Sequence, residues 1–347
     1  MTRSTRRGMF AGALLTVSLL VTACAGGGGD AAPAEPTAAD EGTRTLTLYS
    51  GRDEELVGPL IQQFQEASGI TVDVRYGSTT ELAAQLAEEG DATPAQVFLS
   101  QDAGALGALS EAGAFATLPA ETSGAVQAPY TSTDGSWVGL TGRARVAAYN
   151  TSIPEAEVPA DVTELTDPRW RGRVGIAPTN ASFQAFITAM RVSDGEDAAR
   201  EFLEGLRAND VQSFENNGAI IEAVSSNAID VGLTNHYYFL EAEVPPPNAA
   251  MKFGAPGTVS ALVNVTGAGI LSGAADSAEA QELVAFLVSE QAQEYFATET
   301  GEYPLIDGVP SPEGVPALAD LQAPDIDLGQ LRDLEGTTQL LTQVGLI

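Results

Sequence analysis

The sequence predicts an α/β fold of two lobes, with mixed sheets flanked by helices and a ligand cleft between the lobes. Three observations predict it. Strand-like and helix-like segments alternate from residue 45 onward, a rhythm that gives parallel strands joined by crossover helices. About 300 residues follow the N-terminal segments, enough for two separate cores. Two strand-like stretches, near 140 and near 260, are placed to carry the chain across and back, and small ligands bind in the cleft of such an arrangement.

Each element has its own signal. TLTLY at 45–49 reads as a short strand, and Leu56, Val57, Leu60, Ile61 and Phe64 then recur at helical spacing. Pro59 sits inside that pattern and is expected to kink the helix or delay its start. Gly69 ends it, and ITVDVRY at 70–76 alternates as a strand does. Ser78 and Glu81 form a capping box for a helix to about Glu89. QVFLS at 96–100 is the next strand and Ala103 to Leu109 the next helix. Gly139 and Gly142 are expected to break up the strand-rich stretch 137–150. In the second half RVGIA at 173–177 and IDVGLTN at 229–235 read as strands. Helices are expected over 181–191 and 197–208, around Ile220, Ile221 and Val224, and over 276–299. TVSALVNV at 258–265 alternates like a returning strand. No short-period repeat is present.

The N-terminus carries an address. Arg3, Arg6 and Arg7 precede a mostly apolar run from Met9 to Val21, and Val21-Thr22-Ala23 is a small-residue cleavage site, so 1–23 reads as a signal peptide. Thr5-Arg6-Arg7 with Phe10 loosely resembles a twin-arginine signal. The apolar run is too short for an ordinary transmembrane helix, and no later segment approaches the necessary length. Cys24 is the only cysteine, which excludes an intramolecular disulfide. VTAC resembles a bacterial lipobox, implying lipid attachment at Cys24; a stray thiol is the alternative. Residues 24–42, rich in Gly, Ala, Pro and acids, read as a flexible spacer. The expected division is 43–140 plus 266–320 for lobe 1 and 141–265 plus 321–347 for lobe 2.

The formal charge is −31, and removing the three leader arginines makes it more negative still. Nucleic acid is therefore not a partner, because phosphate binding needs clustered Lys and Arg. The constellations of common enzymes are missing too. His236 is the only histidine, and there is no GxSxG, no GxxxxGK[ST] and no GxGxxG. The chain is expected not to be an enzyme.

The informative segment is LTNHYYFL, with Tyr237 and Tyr238 adjacent just past a strand end. Neighbours on a regular strand face opposite ways, so two phenols converge on one ion only where the chain bends. Phenolate is a hard anionic oxygen donor suited to a hard trivalent cation, and a bound cation deprotonates its ligand below the reference pKa of about 10. Two aromatic residues covering core is the alternative.

YSGRDEE at 49–55, PAQVFLSQD at 94–102, WVGLTGRARV at 137–146, PTNASF at 178–183, NHYY at 235–238 and EYPL at 302–305 occur in one order. In that ordered set, over nearly all of 45–347, the chain resembles the bacterial ferric-ion-binding proteins of ABC importers. The resemblance implies a two-lobed, type II periplasmic-binding-protein-like fold that closes on Fe3+ and a synergistic anion, carbonate or phosphate. It implies delivery to an ABC permease and its ATPase; with the leader and the lipobox, the chain is expected to be an extracytoplasmic, lipid-anchored monomer. Tyr237 and Tyr238 match the family's principal iron ligands. Where some members have a ligand histidine this chain has Asp53, and where they have a ligand glutamate it has Gln101, followed by Asp102. Asp53 and Asp102 are equally readable as helix N-caps. Asn180, Ala181, Ser182 and Asn217 match the anion-binding positions, and Asn180 and Ser182 are also readable as helix caps. Arg143 and Arg145 alternate on one strand face and are candidates to reach the anion, or members of ion pairs. His236 matches a position that is not a ligand. The rivals are a binder of a small organic or oxyanion ligand, such as a phosphonate or a polyamine, and a lipoprotein enzyme or sensor domain.

Overall fold

The computed structural model describes residues 44–240 and 246–347. The leader 1–23, Cys24 and the spacer 24–42 lie outside the described residues. In chain order the elements begin β1 (Thr45–Ser50), α1 (Glu54–Ser68), β2 (Thr71–Tyr76), α2 (Thr79–Glu89), β3 (Val97–Ser100), α3 (Ala103–Glu111) and α4 (Ala120–Ser123). Next come β4 (Val138–Asn150), β5 (Val174–Ile176), α5 (Ala181–Ser193), α6 (Glu196–Ala208), β6 (Gln212–Ser213) and α7 (Asn217–Ser225). The last are β7 (Val231–Asn235), β8 (Ala249–Phe253), β9 (Val263–Ile270), α8 (Ala278–Leu287), α9 (Glu290–Glu299), β10 (Tyr303–Pro304) and α10 (Leu334–Val344).

The strands run in the order β2-β1-β3-β9-β4-β7-β5-β6, with β8 and β10 also on β4. The βαβ rhythm at the start makes β1 parallel to both β2 and β3, and β5 is parallel to β6 and β7. β9 runs antiparallel to β3 and β4. Two half-sheets of a two-lobed type II fold share β4. Residues from Val138 to Ala144 pair with β9, whereas those from Arg145 to Asn150 pair with β7 and β8. The change of partner falls at Ala144 and Arg145, beyond the crossing expected near 140. The C-terminal α10 packs on α5 and α6, and the 3-10 turn Leu328–Arg332 packs on α3 and α5.

Three elements differ from expectation for physical reasons. Pro59 lies inside α1 without ending it; Val57, Leu60, Ile61 and Phe64 are buried on the other side, and that packing outweighs one lost backbone bond. Gly139 and Gly142 do not break β4, which is a continuous, fully buried 13-residue strand. A Cβ at Gly139 would collide with the Tyr130 carbonyl, and one at Gly142 would crowd Val263, Tyr303 and Leu305. The register shifts between Gly139 and Thr141, as at a bulge. The stretch 258–265 is strand only from Val263; Thr258 accepts from the Ser260 N–H at 3.3 Å and starts a 3-10 turn instead. The N-cap half of the expected capping box forms, Ser78 Oγ accepting from the Glu81 N–H at 3.3 Å, while the Glu81 carboxylate accepts from the Ser78 hydroxyl at 2.9 Å.

Candidate functional site

The two tyrosines sit in the 3-10 turn His236–Phe239 that follows β7 directly. A 3-10 turn separates adjacent side chains by about a third of a revolution instead of half. The rings of Tyr237 and Tyr238 therefore stack on one side, with centroids 4.4 Å apart and planes 27° apart. Tyr237 is buried and Tyr238 half-buried. His236 points the other way: its Nδ1 accepts from the Ala144 N–H at 3.2 Å, and its ring stacks on Tyr303 at 4.6 Å. Burial pushes its pKa down to about 3, so the ring is neutral and its acceptor nitrogen is engaged by backbone. His236 is a structural residue beside the tyrosines.

Arg143 and Arg145, two apart on β4, face the same side and are both buried. The guanidinium of Arg143 donates from Nη2 to the Gln101 carbonyl and from Nη1 to Ser182 Oγ at 3.4 Å, and its Nε lies 3.9 Å from Glu302. Arg145 donates to Asn235 Oδ1 at 3.1 Å and lies 5.4 Å above the Phe186 ring. Asn235 in turn donates to Ser182 Oγ at 3.2 Å. Burial first, and then the neighbouring charge of Arg143, pull Arg145 down to about 9. Among the described residues Arg145 meets no carboxylate, and its Nη2 has no partner. A buried cation left in that state costs stability unless an anion is meant to meet it.

The anion-binding candidates cluster there. Asn180 caps α5, its Oδ1 accepting from the Ser182 N–H at 3.0 Å; Ala181 is the first helical residue. Ser182 joins both arginine contacts. Asn217 opens α7, but Asn216 is the cap, accepting from the Ala219 N–H at 2.9 Å. Asn217 is 1% exposed and both atoms of its amide lack described partners.

The first half-sheet contributes differently. Asp53 stands at the N-cap position of α1, exposed and without a side-chain cap bond. Gln101 is engaged through its backbone: its N–H donates to Thr79 Oγ1 at 2.9 Å, and its carbonyl receives Arg143. Asp102 is buried and caps α3 through the Gly104 N–H at 3.0 Å. Burial pushes its carboxyl pKa up, with Arg143 pulling the other way. The residues missed by sequence reasoning are Arg52 and Glu302, which pair at 3.1 Å with both side chains almost wholly buried. Arg52 lies 5.7 Å from the centre of the Tyr237 ring. Both belong to the segments YSGRDEE and EYPL, whose only detectable signal was a charge flush against a buried strand end. No group of three or more His, Cys, Asp or Glu side chains capable of holding a metal occurs among the described residues; the hard donors at this site are phenols.

The sequence pattern described as "Bacterial extracellular solute-binding protein" matches residues 92–328. The chain belongs to that family. It is 31% identical over 323 residues to a "Fe(3+)-binding periplasmic protein" of Serratia marcescens, covering 90% of this chain and 93% of that protein. It is 32% identical over 317 residues to the "Major ferric iron-binding protein" of Neisseria meningitidis serogroup B, covering 89% and 96%. Among solved structures, iron-bound HitA from Pseudomonas aeruginosa superposes with a TM-score of 0.82 at 32% identity, over 87% of this chain and 99% of that one. A Trichodesmium protein in complex with iron and citrate superposes at 0.76 and 26% identity, over 87% and 99%. The fold of this solute-binding protein is thus shared along nearly its whole described length.

Proposed function

We propose that this chain captures ferric iron outside the cytoplasm and hands it to an ABC permease driven by its ATPase, with no catalytic role of its own. The single observation carrying this reading is the stacked pair Tyr237 and Tyr238 at the end of β7, facing buried arginines that lack enough carboxylate to match them. Phenolate oxygens satisfy a hard trivalent ion. A carbonate or phosphate at Asn180, Ala181, Ser182 and Asn217, with Arg143 and Arg145 as charged donors, completes the shell and meets the unpartnered Nη2 of Arg145. Lobe 1 is taken as 43–140 plus 266–320 and lobe 2 as 141–265 plus 321–347. Asp53 is exposed, Gln101 is engaged through its backbone and Asp102 caps α3, and the three remain candidate metal donors if the loops that hold them move. Cys24 is read as the lipid attachment site of an otherwise monomeric protein. The names of the relatives and the sequence signals at residues 1–24 support this address, and among the described residues no helix is long and apolar enough to cross a membrane.

The experiment is a titration of iron-stripped protein with a ferric chelate, followed by visible absorbance. A phenolate-to-iron charge-transfer band is expected, and it should vanish in the Tyr237→Phe/Tyr238→Phe variant. A colourless complex, or a band that survives in that variant, would refute the assignment. Tight binding of a phosphonate or other oxyanion without iron would favour the organic-anion reading, for which the unpartnered Nη2 of Arg145 also speaks.

A further inference from the structure

Arg52 is a cation that the first half-sheet brings to Tyr237, and its position is built. It stands two residues beyond the end of β1. Its N–H donates to Ser50 Oγ at 3.2 Å, while Ser50 Oγ donates back to its carbonyl at 3.0 Å. The preceding Gly51 is bonded to the Leu99 carbonyl at 2.7 Å and packs against Thr79 too closely for any Cβ. The guanidinium is anchored from behind by Glu302 Oε1 at 3.1 Å. Glu302 is in turn fixed by Thr300 Oγ1, which donates to Oε2 at 3.1 Å. Both members of the pair therefore come from elements paired within the first half-sheet, whereas Tyr237 follows β7 on the second. Arg52 spans that division and lies over Tyr237, and its buried Nε has no described partner.

Charge decides what such an arrangement can accept. Arg52, Arg143 and Arg145 are all at most 4% exposed, and Glu302 is the only carboxylate paired with any of them among the described residues. A bare trivalent cation entering between them is repelled by every one. A ferric ion held by two phenolates and a doubly charged anion has the opposite sign, and in a water-poor site that difference is large. We infer that Arg52, braced by Glu302, is a cationic clamp that closes on the negative charge assembled around the cargo, so that the cleft shuts on ferric iron together with its anion and not on a bare cation. This rests on the tyrosine reading above. It gives the first half-sheet a role that needs no metal ligand from Asp53, Gln101 or Asp102. Arg52 acts through the metal-bound phenolate and is in that sense a positioning residue for closure.

The test uses the full mature chain, stripped of iron and reloaded with ferric nitrilotriacetate in the presence of bicarbonate. Three readouts are needed: the visible band, the fall in radius of gyration by small-angle scattering, and the rate of iron loss to excess EDTA. Arg52→Gln/Glu302→Gln removes the buried pair together, so that neither charge is stranded, and thermal melting confirms that it folds. In that variant the coloured complex should still form on the two tyrosines. The contraction should be lost, and iron should leave at least about tenfold faster, the fold-change of one lost charge-assisted hydrogen bond. Arg52→Lys, which keeps the charge, should restore most of the contraction. If the folded double variant contracts and releases iron as the wild type does, or if Arg52→Lys is as defective as the double variant, the clamp is refuted while the tyrosine site stands. Absence of a band in the wild type itself would instead remove the tyrosine reading, and the clamp with it.

Discussion

Two buried arginines beside the tyrosine pair should respond differently to the same substitution. Arg145 is held down to about 9 by burial and Arg143, which is worth at most about 5 kcal/mol against its charged form at neutral pH. Set against that are one hydrogen bond to Asn235 at 3.1 Å, about 1.5–3 kcal/mol for a charged donor, and the Phe186 ring, about 0.5–2 kcal/mol. Together these offset most or all of that cost. Arg145→Met, which preserves apolar volume, should therefore leave the stability of the iron-free protein unchanged or raise it by up to about 3 kcal/mol. Arg52→Met leaves Glu302, with its side chain 1% exposed, only the longer contact to Arg143 at 3.9 Å, and should cost about 3–5 kcal/mol. Urea unfolding followed by the fluorescence of Trp137 and Trp170, both buried, measures both. The ferric titration should then show that Arg145→Met has lost its dependence on added carbonate. An Arg145→Met cost as large as that of Arg52→Met would mean that the Arg145 charge is already matched within the fold and is not kept for a ligand.

Asn180→Ala should cost about 0.5–2 kcal/mol through the lost α5 cap and weaken anion-supported iron uptake, whereas exposed Asp53, which makes no cap bond, should change stability by less than about 0.5 kcal/mol on Asp53→Ala; thermal melts compare the two. His236 takes its proton only near pH 3 in the folded chain but near 6.5 when unfolded. The stability contributed by its neutral ring is therefore full above pH 6.5 and lost as pH falls toward 3. Urea unfolding from pH 7 to 4 should give a dependence flatter by about one proton in His236→Phe. Gly139→Val drives a side chain into the Tyr130 carbonyl and Leu305 and should cost about 1–3 kcal/mol by melting. Cys24→Ser should move the protein out of the membrane fraction or leave its leader uncleaved; unchanged retention with normal processing, read by fractionation and mass spectrometry, would show that Cys24 carries no lipid.

What the sequence by itself determined is what depends on neighbours along the chain. The alternation of periods set the βαβ opening, Ser78 capped α2 as its sequence signal required, and the family and its tyrosine pair were legible as ordered motifs. Even the convergence of Tyr237 and Tyr238 was a local matter, because the bend after β7 is local. Tertiary structure decided whatever depends on distant partners. Whether Pro59 ends α1 was settled by the packing of Val57, Leu60, Ile61 and Phe64 on the other side of the helix. Whether Gly139 breaks β4 was settled by the close approach of Tyr130. Local pattern also could not separate an arginine in an ion pair from one kept waiting. Arg52 meets a carboxylate 250 residues away, while Arg145 meets an amide, a ring and the field of the two tyrosines, and among the described residues no carboxylate. A residue's charge is written in the sequence, but its desolvation and its counter-charge exist only once β1, β4, β7 and the segment before β10 have come together around one buried point.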